Sequence, residues 1–211
     1  MSVALADSPL ADLPPPVTLA PPVRVEAFTV IDAPREVYDR LPEGTRAEFI
    51  DGRIYMSPAP LPRHQDVVQN LYRVLFAYAE AHGGYVGVAP YDVAVAPTRN
   101  LQPDVFYLAP DQLDLIGEKN IEGAPTLVAE VLSTSTTSHD LRLKRTLYAE
   151  ASVAEYWILD PAERTVEILA LTNDGYRTAA EAGRGEEIAS AALPGFRADV
   201  DEVFRRAAFP G

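Results

Sequence analysis

The spacing of apolar side chains along the chain changes between periods of two and of three to four residues, which predicts both strands and helices. Arg46–Ser57 contains two apolar-rich arms around Asp51-Gly52, a dipeptide typical of a tight hairpin turn. Pro62–Ala81 predicts the longest helix, because one of its faces is apolar and a glycine pair follows its end. The apolar stripe of that helix consists of Val67, Leu71, Val74, Leu75 and Tyr78.

Further elements follow, and the most informative is Thr126–Leu132, an apolar run typical of a covered central strand. A helix is predicted over Asp140–Ser152, behind a Ser/Thr-rich loop that offers several N-caps. The other predicted elements are a lead-in with a helical turn over Thr29–Leu41, strands over Tyr85–Ala96 and Asp104–Leu108, a helical turn over Gln112–Ile116, a second hairpin formed by Glu155–Asp160 and Thr165–Leu171, a strand over Tyr176–Ala180, and a terminal helix over Val200–Ala208. This order predicts a mixed sheet with helices packed on it, of the α/β or α+β class.

Length and composition favour one globular domain. With 211 residues, 47% of them hydrophobic, the chain can bury one sizeable core, whereas two domains would both be small. We expect residues 1–24 to form a flexible proline-rich tail and residues 25–211 to form the domain. The tail does not resemble an export signal, no apolar stretch is long enough to span a bilayer, and cysteine is absent. A cytoplasmic protein without membrane contact is therefore expected.

The formal net charge of −13 restricts what the chain can bind. Broad, salt-driven binding to nucleic acid normally needs a basic surface, so the composition speaks against that mode. It remains compatible with an enzyme that gathers carboxylates around a cation and holds phosphate locally. No Gly-rich phosphate loop, Gly-x-Ser-x-Gly elbow or His-Glu-x-x-His motif is present, and we expect no nucleotide cofactor.

Glu130 breaks the apolar pattern of the predicted central strand. Its neighbours on both sides are apolar, and an ionised carboxylate there is costly unless it is paired, protonated or bound to a cation. One interpretation is a glutamate that faces solvent at a sheet edge or pairs with an arginine. The other is a functional carboxylate on a covered strand.

Lys144 is one of only two lysines in the chain. On a helical wheel it falls within the apolar arc of the predicted helix, as does Asp140 one turn earlier. A lysine at this position points toward the protein interior. It is either a snorkelling side chain or an ion-pair partner of Asp140, or it is a compact ammonium that binds a phosphate oxygen or positions a water molecule.

Three further positions gain interest only in combination. Asp104 begins a predicted strand after a proline, where an isolated aspartate is usually a turn residue. His64 projects into the apolar stripe of the long helix, where a buried histidine with one satisfied nitrogen is the alternative to a site residue. Glu48 is either an exposed strand residue of the first hairpin or a third acidic group of a site.

Several short motifs, taken in their order and spacing, resemble the Uma-two family of restriction endonucleases, which belongs to the PD-(D/E)XK nuclease superfamily. The resemblance covers about residues 46–171. The motifs are Phe49-Ile50-Asp51-Gly52, Pro62-Arg63-His64-Gln65, Gln102-Pro103-Asp104, Val128-Ala129-Glu130-Val131-Leu132-Ser133, Asp140 with Lys144 and Tyr148, Glu155-Tyr156-Trp157, and Asp160-Pro161.

The resemblance implies a restriction-endonuclease-like core with an N-terminal β-hairpin and a long helix. It also implies that Asp104 and Glu130 lie side by side and hold Mg²⁺ or Mn²⁺ for cleavage of DNA. The superfamily lysine is expected two residues after the acidic residue, where this chain has Leu132, so Lys144 would deliver the ammonium from the next helix. Glu48 would be a further metal ligand. Substrate contacts or support of the ligands would come from His64, Gln102, Asp140 and Tyr148.

Two classes of function follow from these patterns. The first is a metal-dependent endonuclease, for which a two-fold homodimer would suit cleavage of both strands. The second is a non-catalytic binding or assembly module that keeps the nuclease fold, which the acidic net charge favours. In the second case Asp140 and Lys144 would form an internal pair, and Glu130 would find a partner within the protein.

Overall fold

The computed structural model describes residues 29–133 and 138–206, together with the backbone but not the side chains of residues 138–140. The predicted tail, residues 1–24, lies outside the described part. The described helices are α1 (Arg35–Tyr38), α2 (Pro62–His82), α3 (Ser138–Glu150) and α4 (Val200–Val203), with a 3-10 helix at Pro110–Leu115. None of them is both long enough and apolar enough to traverse a lipid bilayer.

Thirteen strands are described, and they form three sheets. They are β1 (Thr29–Asp32), β2 (Ala47–Ile50), β3 (Arg53–Met56), β4 (Tyr85–Val88), β5 (Val93–Ala96), β6 (Arg99–Leu101), β7 (Val105–Leu108), β8 (Leu127–Val131), β9 (Glu155–Asp160), β10 (Thr165–Thr172), β11 (Gly175–Ala182), β12 (Glu187–Ala189) and β13 (Arg197–Asp199). The largest sheet has the order β11-β10-β9-β8-β7-β4, the second has the order β1-β3-β2-β6-β5, and β12 pairs with β13. In the largest sheet only β8 and β9 run parallel, which confirms the predicted mixed sheet.

The large sheet is covered on both faces, as the apolar run around Glu130 predicted. Alternate residues of β7 and β8, including Val105, Leu127 and Ala129, pack on one face with Leu71 and Leu75 of α2. The intervening residues pack on the other face with α3 and with parts of the second sheet. Because side chains alternate along a strand, Glu130 belongs to the same face as Val128, the face that α3 covers.

The first hairpin, the long helix, the central strand and the hairpin of β9 and β10 all lie where the hydrophobic pattern predicts them. Asp51 and Gly52 both have positive φ, 47° and 87°, as the tight turn requires. The α2 helix ends at Gly83, whose φ of 83° is accessible to glycine at little cost.

Three sequence-based predictions are wrong in detail. Tyr85–Ala96 is not one strand but two, β4 and β5, which lie in different sheets. Pro90 lies between them, and because proline has no backbone N–H it cannot continue a ladder. The predicted loop after β5 contains β6, and β12 and β13 lie in a segment for which no strand is predicted.

The third error concerns the terminal helix, which is predicted over Val200–Ala208 but ends at Val203. The Asn70 side chain of α2 donates to the carbonyl oxygens of Val203 and Arg205, at 3.1 and 2.7 Å. These bonds satisfy carbonyl groups that a longer helix would use internally. Residues 207 and 208 of the predicted helix lie outside the described residues.

Candidate active site

Asp104 and Glu130 lie opposite each other on neighbouring antiparallel strands. The register pairs Val105 with Ala129, and its continuation by one residue brings Asp104 to Glu130. The backbone N–H of Val131 donates to Asp104 Oδ2 at 2.9 Å, which holds the aspartate against the end of β8. Directly opposed residues of an antiparallel pair share a face. The two carboxyl groups therefore share one face of the sheet, and each is at least nine-tenths buried.

Lys144 reaches this pair from α3, on the inward face that the helical wheel predicts. Its Nζ lies 2.9 Å from Glu130 Oε1 and 3.2 Å from Glu48 Oε1. The Tyr148 hydroxyl, one turn further along α3, also donates to Glu130 Oε1, at 2.8 Å. The i,i+4 spacing of the two α3 residues puts both donors on one face of the helix. Together they fix one oxygen of the Glu130 carboxyl group.

Glu48 joins the cluster from β2 and is buried rather than exposed. Its Oε1 also accepts a hydrogen bond from the backbone N–H of Gln102 at 2.8 Å. The side-chain amide of Gln102 points away, and donates to Asp92 Oδ1 at 2.8 Å and to the Thr45 carbonyl oxygen at 3.0 Å. Gln102 thus links the carboxylate cluster to the neighbouring loop.

Beyond Gln102 lies an open cavity of about 870 Å³. Its lining includes Tyr38, whose hydroxyl donates to Asp92 Oδ2 at 2.9 Å, and the other lysine of the chain, Lys119. Asp104, Glu130 and Lys144 do not line this cavity. The cavity is therefore adjacent to the carboxylate cluster and separated from it by Gln102.

Asp104 has two partners besides Val131. His64 Nε2 lies 3.1 Å from Asp104 Oδ2, and Arg46 Nη2 lies 3.6 Å from Asp104 Oδ1. His64 is buried at the first turn of α2, and its Nδ1 has no hydrogen-bond partner within the described residues. The longer distance to Arg46 exceeds that of a hydrogen bond, so Arg46 attracts Oδ1 by its charge and not through a hydrogen bond.

The two opposed acids have pKa values displaced in opposite directions. Burial raises the pKa of Glu130 to about 8, reinforced by the charges of Asp104 and Glu48 and opposed by Lys144. Burial also disfavours ionised Asp104, but hydrogen bonding and charge attraction from His64, helped by Lys144 and the Val131 N–H, hold the pKa of Asp104 below its usual range. Burial and the Glu130 charge raise the pKa of the Tyr148 hydroxyl far above normal. Such a divergence is frequent where acid-base or metal chemistry takes place.

The donor set fits a hard cation bound by two carboxylates. Glu130 Oε2 and Asp104 Oδ1 accept no hydrogen bond within the described residues. A cation between them would relieve the repulsion that raises the pKa of Glu130. In the described part of the chain, no three His, Asp or Glu side chains are arranged to hold one ion together. Two protein carboxylates completed by water is nevertheless a common way of binding Mg²⁺.

The structure brings seven of the predicted site residues close together and adds one neighbour, Arg46, that the sequence pattern does not indicate. Lys144 contacts Glu130 and Glu48, and the Tyr148 hydroxyl and the Gln102 N–H donate to these two acids. His64 and Asp104 form a second pair, which the Val131 N–H holds at the end of β8. The side chain of Asp140 lies outside the described part. Arg46 is not among the predicted site residues, although its position at the start of the predicted hairpin arm, two residues before Glu48, is compatible with the same face.

Comparison with known proteins identifies the family of the chain. A family model named Uma2 and described as "Putative restriction endonuclease" matches residues 35–201, so the chain belongs to that family. A crystal structure described as a putative nuclease belonging to DUF820, from Anabaena variabilis, has the same fold with a TM-score of 0.64. That match has 15% sequence identity and covers 80% of this chain and 96% of the other. No curated protein matches the chain.

Proposed function

We propose that the chain is an endonuclease that hydrolyses DNA phosphodiester bonds with Mg²⁺ or Mn²⁺ as its cofactor. One observation supports this proposal most strongly. The opposed carboxyl groups of two neighbouring strands and the buried ammonium of α3 lie together at a covered face of the sheet. Glu130 Oε1 lies 2.9 Å from Lys144 Nζ, and the strand register brings Asp104 beside Glu130. A protein without a use for them would seldom keep three acids and one lysine together in its interior.

Asp104 and Glu130 are the proposed ligands of the cation. Glu48 of β2, the further ligand that the family resemblance implies, does not complete a three-ligand group with them among the described residues, and its proposed role is to hold Lys144. When bound, the cation would supply an activated water as nucleophile and offset the charge that develops on the phosphodiester. His64 and the Val131 N–H hold Oδ2 of Asp104, which leaves Oδ1 directed away from them. The protein therefore fixes one oxygen of each ligand and keeps the other available.

Lys144 is the proposed activator. Its ammonium is held between Glu130 and Glu48, and it can donate to the attacking water or to a phosphate oxygen from that position. In the reaction a water oxygen bonds to phosphorus and one P–O ester bond breaks. The leaving oxygen takes up a proton, and a phosphomonoester and a free hydroxyl result. Tyr148 keeps Glu130 oriented during this step through its 2.8 Å hydrogen bond.

We further propose that the enzyme acts in the cytoplasm as a homodimer. The two strands of a DNA duplex are related by approximate two-fold symmetry, and two copies of one site can each cut one strand. The acidic net charge of −13 supports local rather than extended contacts with the duplex.

A second candidate function is a non-catalytic assembly module that keeps the nuclease fold. The ion pairs of Lys144 with Glu130 and Glu48 favour it, since they already balance part of the buried charge within the protein. Under this alternative the cluster is structural, and its residues are required for folding but not for chemistry.

Nicking of supercoiled plasmid DNA in the presence of Mg²⁺ separates the two candidates. We expect nicking by the wild-type protein that EDTA abolishes, and a loss of at least about a hundredfold in Glu130→Gln and Lys144→Ala proteins, because each removes a group that acts in the transition state. As a control, circular dichroism and thermal unfolding would be used to check that both variants are folded.

Lys119→Ala is the matched control, because Lys119 is the other lysine of the chain and is exposed. Its nicking rate should equal that of the wild-type protein. Nicking that survives in folded Glu130→Gln and Lys144→Ala proteins would remove both residues from the mechanism. A wild-type protein that is folded and inactive on DNA with either metal would favour the assembly module.

A further inference from the structure

Arg46 lies at the edge of the carboxylate cluster with hydrogen-bonding capacity that the described residues do not use. Its Nη2 is 3.6 Å from Asp104 Oδ1, beyond hydrogen-bond distance, and its Nε is buried with no partner among the described residues. The side chain as a whole is one-quarter exposed, although its Nε is buried. Buried donors without a partner are rare in folded proteins, and they call for a ligand, a water molecule or a strained arrangement.

The Nε and Nη2 atoms of Arg46 have the geometry of a bidentate oxyanion-binding group. The Nε–H and one Nη–H of a guanidinium point to the same side and form a planar fork that matches two oxygens of a carboxylate or phosphate. In Arg46 the Nη2 arm of this fork lies 3.6 Å from Asp104 Oδ1, and no acceptor for the Nε arm is found in the part of the chain that the structure describes. Arginine does not lose its proton near neutral pH, so the fork always presents a positive charge.

The position of Arg46 beside the acidic cluster indicates which kind of ligand this fork could bind. Arg46 directly precedes β2 and lies two residues before Glu48, and its carbonyl oxygen accepts a hydrogen bond from the Ser57 N–H at 3.1 Å. Both side chains approach the cluster, since Arg46 Nη2 lies 3.6 Å from Asp104 Oδ1 and Glu48 Oε1 lies 3.2 Å from Lys144 Nζ. Lys144, the other cation there, is engaged by two carboxylates. In a protein with a net charge of −13, a phosphate that approaches Asp104 and Glu130 meets strong repulsion and needs a local cation.

We propose that Arg46 is a phosphate-binding residue, whose Nε and Nη2 take two oxygens of a phosphate group beside Asp104. This inference rests on the proposed function for the identity of the substrate, a nucleic-acid phosphodiester. The competing role is structural, in which Arg46 only offsets the charge of Asp104.

The direct test uses inorganic phosphate and the Nε–H resonances of protein carrying ¹⁵N-arginine. We expect one Nε–H resonance, identified by its absence in Arg46→Lys, to shift saturably with phosphate but not with chloride at equal ionic strength. The Nε–H of Arg53, identified in the same way with Arg53→Lys, is the control, because that residue is exposed and already paired with Asp32 at 2.9 Å. An Arg46 resonance that does not move, or moves no more than that of Arg53, would overturn the proposal.

A second measurement separates this inference from the proposed function. Binding of a fluorescent DNA duplex is measured over a range of salt concentrations with Ca²⁺ in place of Mg²⁺. Arg46→Lys keeps the charge but loses the fork, and we expect about tenfold weaker binding. Arg46→Gln should in addition reduce the slope of log affinity against log salt by about one.

The two proposals can fail separately. If the wild-type protein nicks DNA and the Arg46 variants bind it as tightly and with the same salt slope, Arg46 is not a phosphate ligand and the nuclease proposal stands. If phosphate shifts the Arg46 resonance but the protein cuts no DNA, the phosphate site stands and the nuclease proposal fails.

Discussion

The carboxyl group of Glu130 is subject to two opposing influences, burial and the ammonium of Lys144. Burial favours the neutral acid and Lys144 favours the carboxylate, and the balance raises the pKa of Glu130 to about 8. Because this value lies near neutrality, the group responds readily to a bound cation. A residue of this kind is costly in a core unless its charge has a use.

The raised pKa of Glu130 predicts a pH-dependent stability that its neutral counterpart lacks. A carboxyl whose pKa is higher in the folded than in the unfolded protein contributes stability that is fully present below the unfolded value, about 4.3. That contribution is lost as the pH rises through the folded value of about 8. In EDTA, wild type should therefore lose stability relative to Glu130→Gln between pH 5.5 and 8.5.

Thermal unfolding of both proteins at these two pH values checks this prediction. A relative loss of only about 1 kcal/mol would separate the two Tm values by roughly 2–4 °C more at the higher pH. Equal changes of Tm in the two proteins would mean that the pKa of Glu130 is not raised by folding.

Single residues could be predicted from the sequence where they break a strong local pattern. Lys144 falls within an apolar helical arc and Glu130 interrupts an apolar strand, so the sequence alone indicates both as candidate site residues. Arg46 interrupts nothing, because a polar residue at the start of a hairpin arm is ordinary. The ion pair of Lys144 with Glu48 depends on how α3 and β2 are placed relative to each other in the fold. The periodicity of the sequence does not predict that placement.

At the scale of elements, α2 covers one face of the large sheet with a regular stripe of apolar residues. Leu75 is fully buried in this interface, whereas Phe76, the next residue, is 41% exposed. Leu75→Ala should lower the free energy of unfolding by about 2–5 kcal/mol, through lost transfer energy and the cavity that remains. Phe76→Ala should lower it by less than about 1 kcal/mol. Urea unfolding of both variants tests this, and similar losses would contradict the assigned packing face.

Glu155 at the start of β9 is a buried acid with a structural role. It accepts hydrogen bonds from Trp157 Nε1, from Ser190 Oγ, and from the backbone N–H groups of Ala191 and Ala192, at 2.7–2.9 Å. These bonds connect the start of β9 to the segment between β12 and β13. Unlike Glu130, this carboxyl group accepts hydrogen bonds from four donors.

Glu155→Ala should therefore destabilise the protein without a direct effect on metal binding. Loss of a buried charged acceptor leaves its donors unpaired, and we expect a cost of about 3 kcal/mol or more, or a Tm lower by about 6–12 °C. Glu163→Ala, in the exposed turn between β9 and β10, is the control and should change the Tm by little. An unchanged Tm in Glu155→Ala would contradict the structural role.

Elements with strong periodicity were predictable, and short ones were not. The α2 helix and both hairpins follow from apolar spacing and turn residues over ten or more positions. Strands β6, β12 and β13 have three residues each, too few for a period to emerge. Their existence depends on partners distant in the chain, such as the pairing of Phe49 with Asn100.

At the scale of the whole molecule, the sequence predicts the class of sheet but not how its strands divide. The order of elements indicates a mixed sheet with helices on it, and the described strands confirm this. Because β4 and β5 lie in different sheets, a loop that carries Asp92 connects them. Gln102 links this loop to the cluster, since its side chain donates to Asp92 and its backbone N–H donates to Glu48. No local pattern encodes this division, because it depends on which strand edges remain available after collapse.

The net charge of −13 also belongs to this scale, because it repels nucleic acid from most of the surface. The proposed activity therefore depends on a small region where a bound cation, Lys144 and Arg46 counteract that repulsion.

Binding of Mn²⁺, followed by electron paramagnetic resonance of the free ion, tests most directly whether Asp104 and Glu130 hold a cation together. We predict one saturable site in the wild-type protein, at least about tenfold weaker binding in Asp104→Asn and in Glu130→Gln, and no change in Asp114→Asn, an exposed acid on the 3-10 helix. Wild-type affinity and stoichiometry in both cluster variants, with their folding intact, would contradict the account.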